Sequence, residues 1–248
     1  MMKSCFAGIT DPGLLRTVNQ DDYYIDPDGR FFIVADGMGG HAGGQEASKI
    51  ATEAIKTYLN KDWNSQTPSD ELLEQAIYQA NQAILNDQQT HPERSDMGTT
   101  AVVVMFRQNQ CWFSHVGDSR LYRFRNSKLE KITEDHTWVA RAVKLGELTA
   151  KQARMHPWRH VLSQCLGRKD LPKVNVYRIE VKLCDRLLLC SDGLTEELSD
   201  ELIASSLQDS SSIEQALDIL VEAAKEEGGR DNITVVIVEI GERMNGVG

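Results

Sequence analysis

The stretch FFIVADGMGGHAGG, residues 31–44, sets five glycines, an aspartate and a histidine directly behind a run of core-type side chains. Phe31 to Ala35 reads as a buried strand, and Asp36 closes it. The following Gly37-Met38-Gly39-Gly40-His41-Ala42 satisfies a loose G-x-G-x-x-A between a strand and a helix. A dinucleotide fold then needs a second parallel strand ending in an acid. KDWNSQTPSDE, residues 61–71, stands there instead, polar and turn-forming, and no G-x-x-x-x-G-K-[ST] loop occurs. The glycines therefore read poorly as a phosphate cradle. A carboxylate at the end of a buried strand is costly unless it is paired or bound to a cation, which turns attention to Asp36.

The same arrangement recurs. Asp192 follows RLLLC (186–190), Asp118 follows CWFSHV (111–116), Asp231 immediately precedes NITVVIVEI (232–240), and Asp21 precedes Tyr23-Tyr24-Ile25. One such aspartate is ordinarily a turn residue or a helix cap. Five of them at the borders of buried strands imply that folding gathers them. Clustered carboxylates raise one another's pKa, and a hard divalent cation removes that penalty. With oxygen ligands and no His/Cys group at ligand spacing, Mg²⁺ or Mn²⁺ fits better than Zn²⁺. Two adjacent ions could share a water and deprotonate it for in-line attack on phosphorus.

Length and composition bound the rest. The 248 residues are 41% hydrophobic, enough for a sizeable core. No apolar run approaches the ~20 residues of a membrane span, and MMKSCFAGITD lacks a secretory h-region. Five scattered cysteines without a C-x-x-C pair read as reduced thiols in a cytoplasm. The net charge of −10 argues against a nucleic-acid binder. Residues 120–173 nevertheless carry 13 Lys or Arg against 5 Asp or Glu, a net of +8, which leaves −18 on the remainder. That segment is either a solvated basic face or a positive surface suited to a phosphorylated ligand.

Strands are expected at 31–35, 99–106, 111–116, 120–124, 173–181, 186–190 and 232–240, with hairpin turns at PDGR (27–30) and RNSK (125–128). Helical periodicity marks 45–60, a helix opening at Thr67 with Pro68 at its first position, and a helix near 213–226. Ser212 and Gln215 are expected to form the last helix's capping box, and Gly228 to stop it. Residues 136–170 read as a surface excursion: two short helices broken at Gly146, restarted by Thr149-x-x-Gln152 and ended by His156-Pro157. One apolar stripe per helix and strands apolar on both faces predict a layered α+β domain, sheets inside and helices outside.

Six motifs then occur in order: R-x-x-N-Q-D (Arg16 to Asp21), V-A-D-G-M-G-G-H (Val34 to His41), D-M-G-T-T (Asp96 to Thr100), H-V-G-D-S-R (His115 to Arg120), S-D-G-L (Ser191 to Leu194) and G-R-D-N-x-T (Gly229 to Thr234). As a set they resemble the metal-dependent PPM, or type 2C, serine/threonine protein phosphatases, most of all the small bacterial and cyanobacterial members. The resemblance runs from about residue 5 to residue 240. It implies a single domain over 1–248: a four-layer α-β-β-α sandwich of two mainly antiparallel sheets, with a small helical flap at about 136–170. It implies two core Mn²⁺ or Mg²⁺ ions, with Asp36 bridging them, the Gly37 carbonyl on one, and Asp192 and Asp231 on the other. Asp118 with Asp192 would hold a third, weaker ion. Asp21 would orient metal-bound water from behind the ions, and Asn232 would sit beside the site. Arg16 would grip the substrate phosphate, and His41 would protonate the leaving serine or threonine oxygen. Gln20 departs from the acid that many eukaryotic members carry there.

The activity implied is direct hydrolysis of phosphoserine and phosphothreonine without a phosphoenzyme. The partners implied are phosphorylated proteins, a PII-type signalling protein among them, with a monomeric cytoplasmic chain and no nucleic acid or membrane. His115, His136, His156 and His160 read as structural or surface residues. A cysteine phosphatase is excluded, because the sixth residue after each cysteine is Asp11, Gly117, Leu171, Cys190 or Glu196, never Arg. A hydrolase of small phosphoesters and a catalytically weak binding protein on the same fold stay open as alternatives.

Overall fold

The computed structural model describes residues 2–40 and 43–243. In chain order, the long strand β1 (Met2–Asp11) leads through a loop to the hairpin β2 (Asp21–Ile25) and β3 (Phe31–Met38). Two long helices follow, α1 (Gly43–Asp62) and α2 (Ser69–Thr90). A two-residue strand β4 (Gly98–Thr99) precedes β5 (Ala101–Arg107), β6 (Gln110–Val116), β7 (Arg120–Arg125) and β8 (Lys128–Lys131). The short helices α3 (Trp138–Lys144) and α4 (Ala150–Arg154) come next, then β9 (Val176–Ile179) and β10 (Arg186–Cys190). The single turn α5 (Asp192–Thr195), α6 (Asp200–Asp209), α7 (Ile213–Glu226) and β11 (Ile233–Arg243) complete the chain.

Two sheets form, ordered β1-β11-β10-β7-β8 and β2-β3-β5-β6-β9, with β4 attached to β3. Every strand pair is antiparallel. Alternation along the strands explains the layering. Phe31 and Ile33 face α1 and α2, whereas Phe32 and Val34 face the other sheet. In the other sheet Leu188 and Cys190 pack toward α5–α7, and Leu187 and Leu189 pack inward. Successive side chains leave a strand on opposite faces, so a strand covered on both is apolar throughout. The result is an α-β-β-α sandwich with three apolar layers, as the resemblance implied. Among the described residues, no helix is long and apolar enough to cross a membrane.

Several local expectations need correction. β3 does not stop at Asp36. It runs on to Met38, because Gly37 and Met38 pair with Thr99 and Gly98 of β4. The helix expected at Thr67 begins at Ser69, with Pro68 as its cap residue. The strand expected over 173–181 is confined to 176–179. Gln215 does not close a capping box on the Ser212 amide: Ser212 Oγ caps the Gln215 N–H, but Gln215 Oε1 accepts from the N–H and hydroxyl of Ser211. β1 and α6 were not expected at all. By contrast, the 149–152 capping box forms as read, with Gly146 at φ +77° where the first short helix ends.

The strand order places the site. β2 begins beside the point where β3 ends, making Asp21 and Asp36 register partners. β10 ends where β11 begins, Cys190 opposite Val235. Asp192 and Asp231 therefore meet at the same edge of the sandwich.

Candidate metal centre

The five aspartates read as strand-border acids converge at that edge, where each carboxylate feels its neighbours. Burial holds Asp36 well above the usual carboxylate range, and the charges of Asp21, Asp192 and Asp118 push it further. Asp118 is raised for the same reasons, burial first and then Asp192. Asp192 is raised by burial and by Asp231, and it shares a hydrogen bond with Asp36. Two carboxyl groups can share a hydrogen bond only if one of them is protonated. Asp21 is pushed to about 7 by burial, against the opposing pull of two hydroxyl donors. This is the electrostatics of acids gathered with too little counter-charge.

The backbone around Asp36 is fixed from three sides. Its N–H donates to Thr100 Oγ1 at 3.0 Å, and its carbonyl accepts from the Thr100 N–H and the Thr99 hydroxyl, each at 2.8 Å. Thr100 Oγ1 also meets Ser119 Oγ at 2.6 Å, tying β3 to the turn that carries Asp118. Gly37 is required by crowding: a Cβ there would lie 2.0 Å from the Gly44 carbonyl oxygen and 2.6 Å from that of Gln20. Gly193 is under the same constraint, since its Cβ would fall 2.1 Å from the Asn232 carbonyl oxygen. Backbone thus closes on both sides of the cluster.

Asp21 stands behind the others on a chain of hydroxyls. Asn19 Nδ2 donates to Thr10 Oγ1 at 2.8 Å, and Thr10 and Thr234 hydroxyls meet at 2.7 Å. Thr234 and Ser191 hydroxyls each donate to Asp21 Oδ2 at 2.7 Å. Asp21 Oδ1 is buried with no hydrogen-bond partner among the described residues. A buried carboxylate oxygen without a donor is destabilising unless something positive faces it. Asn232 anchors the loop that carries Arg16: it accepts from the Gln20 N–H at 2.8 Å and donates to the carbonyls of Pro12 and Val18 at 3.0 and 3.1 Å. Arg16 sits at the rim with its side chain 52% exposed, its Nη2 on Asp231 Oδ2 at 2.7 Å.

Asp118 is not paired with the nearby Arg120. Arg120 forks onto Asp135 at 3.0 and 2.8 Å and donates to the Tyr122 hydroxyl at 3.1 Å. His41 lies outside the described residues. His160, read as structural or surface, instead reaches the cluster: its Nδ1 lies 2.6 Å from Glu196 Oε1. Ligand atoms of His160, Asp192 and Glu196 all fall within 4.8 Å of one another. Glu196 is pushed to about 7, by burial and then by Asp192. The signal for this pair was weak in the sequence, because its members are far apart and only the fold joins them.

The acids, the orphaned Asp21 Oδ1 and the glycine-walled backbone together make an all-oxygen cradle suited to hard divalent cations. Such a cradle inside this sandwich can be compared with known proteins. The pattern of the family described as protein phosphatase 2C matches residues 16–235. The chain belongs to the protein phosphatase 2C family. It is 37% identical over 238 residues to the serine/threonine protein phosphatase PstP of Mycobacterium tuberculosis, covering 95% of this chain and 45% of that protein. It is 33% identical over 236 residues to the serine/threonine phosphatase stp of Listeria monocytogenes, covering 93% of each. The crystal structure of the catalytic domain of PstP in complex with two manganese ions superposes with a TM-score of 0.86 at 32% identity, over 98% of this chain and all of that one. The chain thus spans about half the length of the Mycobacterium relative and nearly all of the Listeria one.

Proposed function

We propose that this chain of the protein phosphatase 2C family hydrolyses phosphoserine and phosphothreonine in proteins with the help of Mn²⁺ or Mg²⁺. The observation that carries the reading is the convergence of Asp21, Asp36, Asp118, Asp192 and Asp231 on one edge of the sandwich, where burial and neighbouring acids raise the pKa values of Asp21, Asp36, Asp118 and Asp192, a penalty that bound cations would relieve. Asp36, the Gly37 carbonyl, Asp192 and Asp231 are the residues that would hold two ions, and Asp118 with Asp192 a third. Bound there, the cations would supply Lewis acidity, activating water and offsetting charge on the phosphoryl oxygens.

The chain's own residues supply the rest. Ser191 and Thr234 hold Asp21 by one oxygen and leave the other bare toward the cluster. Among the described residues Arg16 commits only Nη2, to Asp231, which leaves its remaining N–H donors to fork onto a phosphate at the rim. Asn232 sets the height of that arginine by gripping the loop on either side of it. His41 is assigned the proton donated to the leaving oxygen. The segment 136–170 is assigned as a flap within one domain spanning 1–248. The reading extends to phosphoprotein partners, a PII-type signalling protein among them, and to a monomer working in the cytoplasm.

Phosphate release from a phosphothreonine peptide, with added Mn²⁺ and with EDTA, is the direct test. Release that requires the ion is expected. Equal release in EDTA, or none from the manganese-loaded protein, would remove the proposal.

A further inference from the structure

A cavity of about 910 Å³ opens from Asp118 and Asp192 and extends beneath the 136–170 segment, between α3–α4 and the α5–α6 stretch. Val139, Val143, Ala153 and Leu198 contribute apolar side chains to its lining. Met155, 81% exposed, also lines it. Most of its charged groups are neutralised locally. Lys131 and Arg120 pair with Asp135, Lys144 with Glu134, and Arg230 with Glu197. Asp200 accepts from the Tyr122 hydroxyl, and Glu196 is held by His160. Asp118 and Asp192 belong to the acid cluster, and two guanidinium groups stand apart from any pairing. Arg154 and Arg159 line the cavity, are exposed, and make no ion pair or side-chain hydrogen bond among the described residues.

We propose that this groove seats the polypeptide flanking the phosphoresidue, and that Arg154 and Arg159 select substrates whose flank is acidic. The inference rests on the phosphatase reading above and goes beyond it by naming the chemistry of the substrate. A small ester needs only the acid cluster. A phosphoprotein also brings a backbone, and this groove is continuous with the cluster. Its apolar lining residues and the flexible thioether of Met155 can take an apolar side chain. With Asp118 and Asp192 committed to cations, the rest of the lining carries six basic groups against five acidic ones, in a segment carrying +8 on a chain whose remainder carries −18. An acidic segment would therefore be drawn to this face and repelled by most others. Rim charges of this kind act on encounter and specificity, so the effect belongs in KM rather than kcat.

The test uses two phosphothreonine peptides, identical except that Asp or Lys occupies the positions flanking the phosphoresidue. With the Mn²⁺-loaded protein, kcat/KM is expected to favour the acidic peptide by about tenfold, through KM, with the gap narrowing as salt is raised. The double variant Arg154→Glu/Arg159→Glu should invert the preference. Arg154→Lys/Arg159→Lys should keep it, which separates charge from a folding defect. A wild-type ratio near one, or a preference that survives the reversal, overturns the inference while leaving the phosphatase reading in place. Hydrolysis of p-nitrophenyl phosphate with neither peptide cleaved would instead overturn the protein-phosphatase reading, and the groove with it.

Discussion

The edge of the sandwich and the segment arched over it are built in opposite ways. Asp21 and Asp36 are fixed by strand pairing, and hydroxyls from Thr99, Thr100, Ser191 and Thr234 hold the backbone or carboxylates at short range. The 136–170 segment has two helices of 7 and 5 residues, and Trp138, Leu145, Met155, Trp158 and Val161 are among its exposed large side chains. The first region stores electrostatic strain in a rigid frame. The second invests little burial in holding one shape, which suits a surface that meets varied partners. Chemistry and selection are thereby placed on different materials.

The largest expected effect strikes the rigid half. Asp36→Asn should lower kcat by about 10³-fold or more, because it removes charge from the centre of the cation cradle. Stability should move the other way. The folded carboxyl is raised above its unfolded value, so its contribution is neutral below the unfolded pKa and turns unfavourable as pH rises toward the folded one. In EDTA at pH 8 the variant should therefore melt higher than wild type, and it should lose much of the thermal shift that Mn²⁺ gives wild type. A variant that melts lower in EDTA and still gains fully from Mn²⁺ would show that the cluster is not under strain.

Next comes the frame itself. Ser191→Ala with Thr234→Val should weaken Mn²⁺ binding by about 10- to 100-fold, the usual scale for groups that orient metal-binding side chains. Titration by electron paramagnetic resonance reads this without turnover. Ser191→Thr with Thr234→Ser keeps both hydroxyls and should restore most of the affinity. Arg16→Ala should raise KM by about tenfold with a smaller change in kcat, since one charge-assisted contact to phosphate is lost. An unchanged KM would detach Arg16 from the substrate and leave it as the partner of Asp231.

How much of this was legible follows the same division. The acids could be found because each borders a strongly apolar strand, and a carboxylate in that setting needs a reason. The extension of β3 to Met38 could not, because its partner β4 is two residues long and has no periodicity. β1 was missed because KSCFAGITD mixes small and polar residues with Phe6 and Ile9, which are only partly buried. α6 was missed because Ile203 and Leu207 are its only buried apolar positions. The His160–Glu196 contact was invisible for a different reason. It joins the loop-rich 136–170 segment to the strand-bordered acids, and no local pattern encodes where a loop will land.

The smallest expected effect lies at the seam between the two regions. His136 begins the overlying segment and is bolted to the strand edge: its N–H donates to the Gly117 carbonyl at 3.0 Å, and its Nδ1 accepts from the Gly117 N–H at 3.2 Å. Its ring stacks on His115 at 4.5 Å between centroids. His115 Nε2 donates to the Glu134 carbonyl at 2.9 Å, leaving its own Nδ1 buried without a partner among the described residues. Burial and the neighbouring His115 lower His136 to about 4, despite the opposing charges of Glu134 and Asp135. The folded chain therefore holds this imidazole neutral where the unfolded chain would protonate it. Its contribution is fully present above the unfolded value near 6.5 and is lost as pH falls from there toward 4. After discounting for partial exposure the loss should be on the order of 1 kcal/mol, visible in EDTA between pH 6.5 and 4.5 as a difference in Tm slope between wild type and a His136 variant, since protonation of the acid cluster shifts both alike in the opposite sense. His136→Asn keeps an acceptor for Gly117 and removes the proton, so its Tm should rise relative to wild type as pH falls across that window. An identical slope in the variant would mean that the seam is not where acid first loosens the molecule.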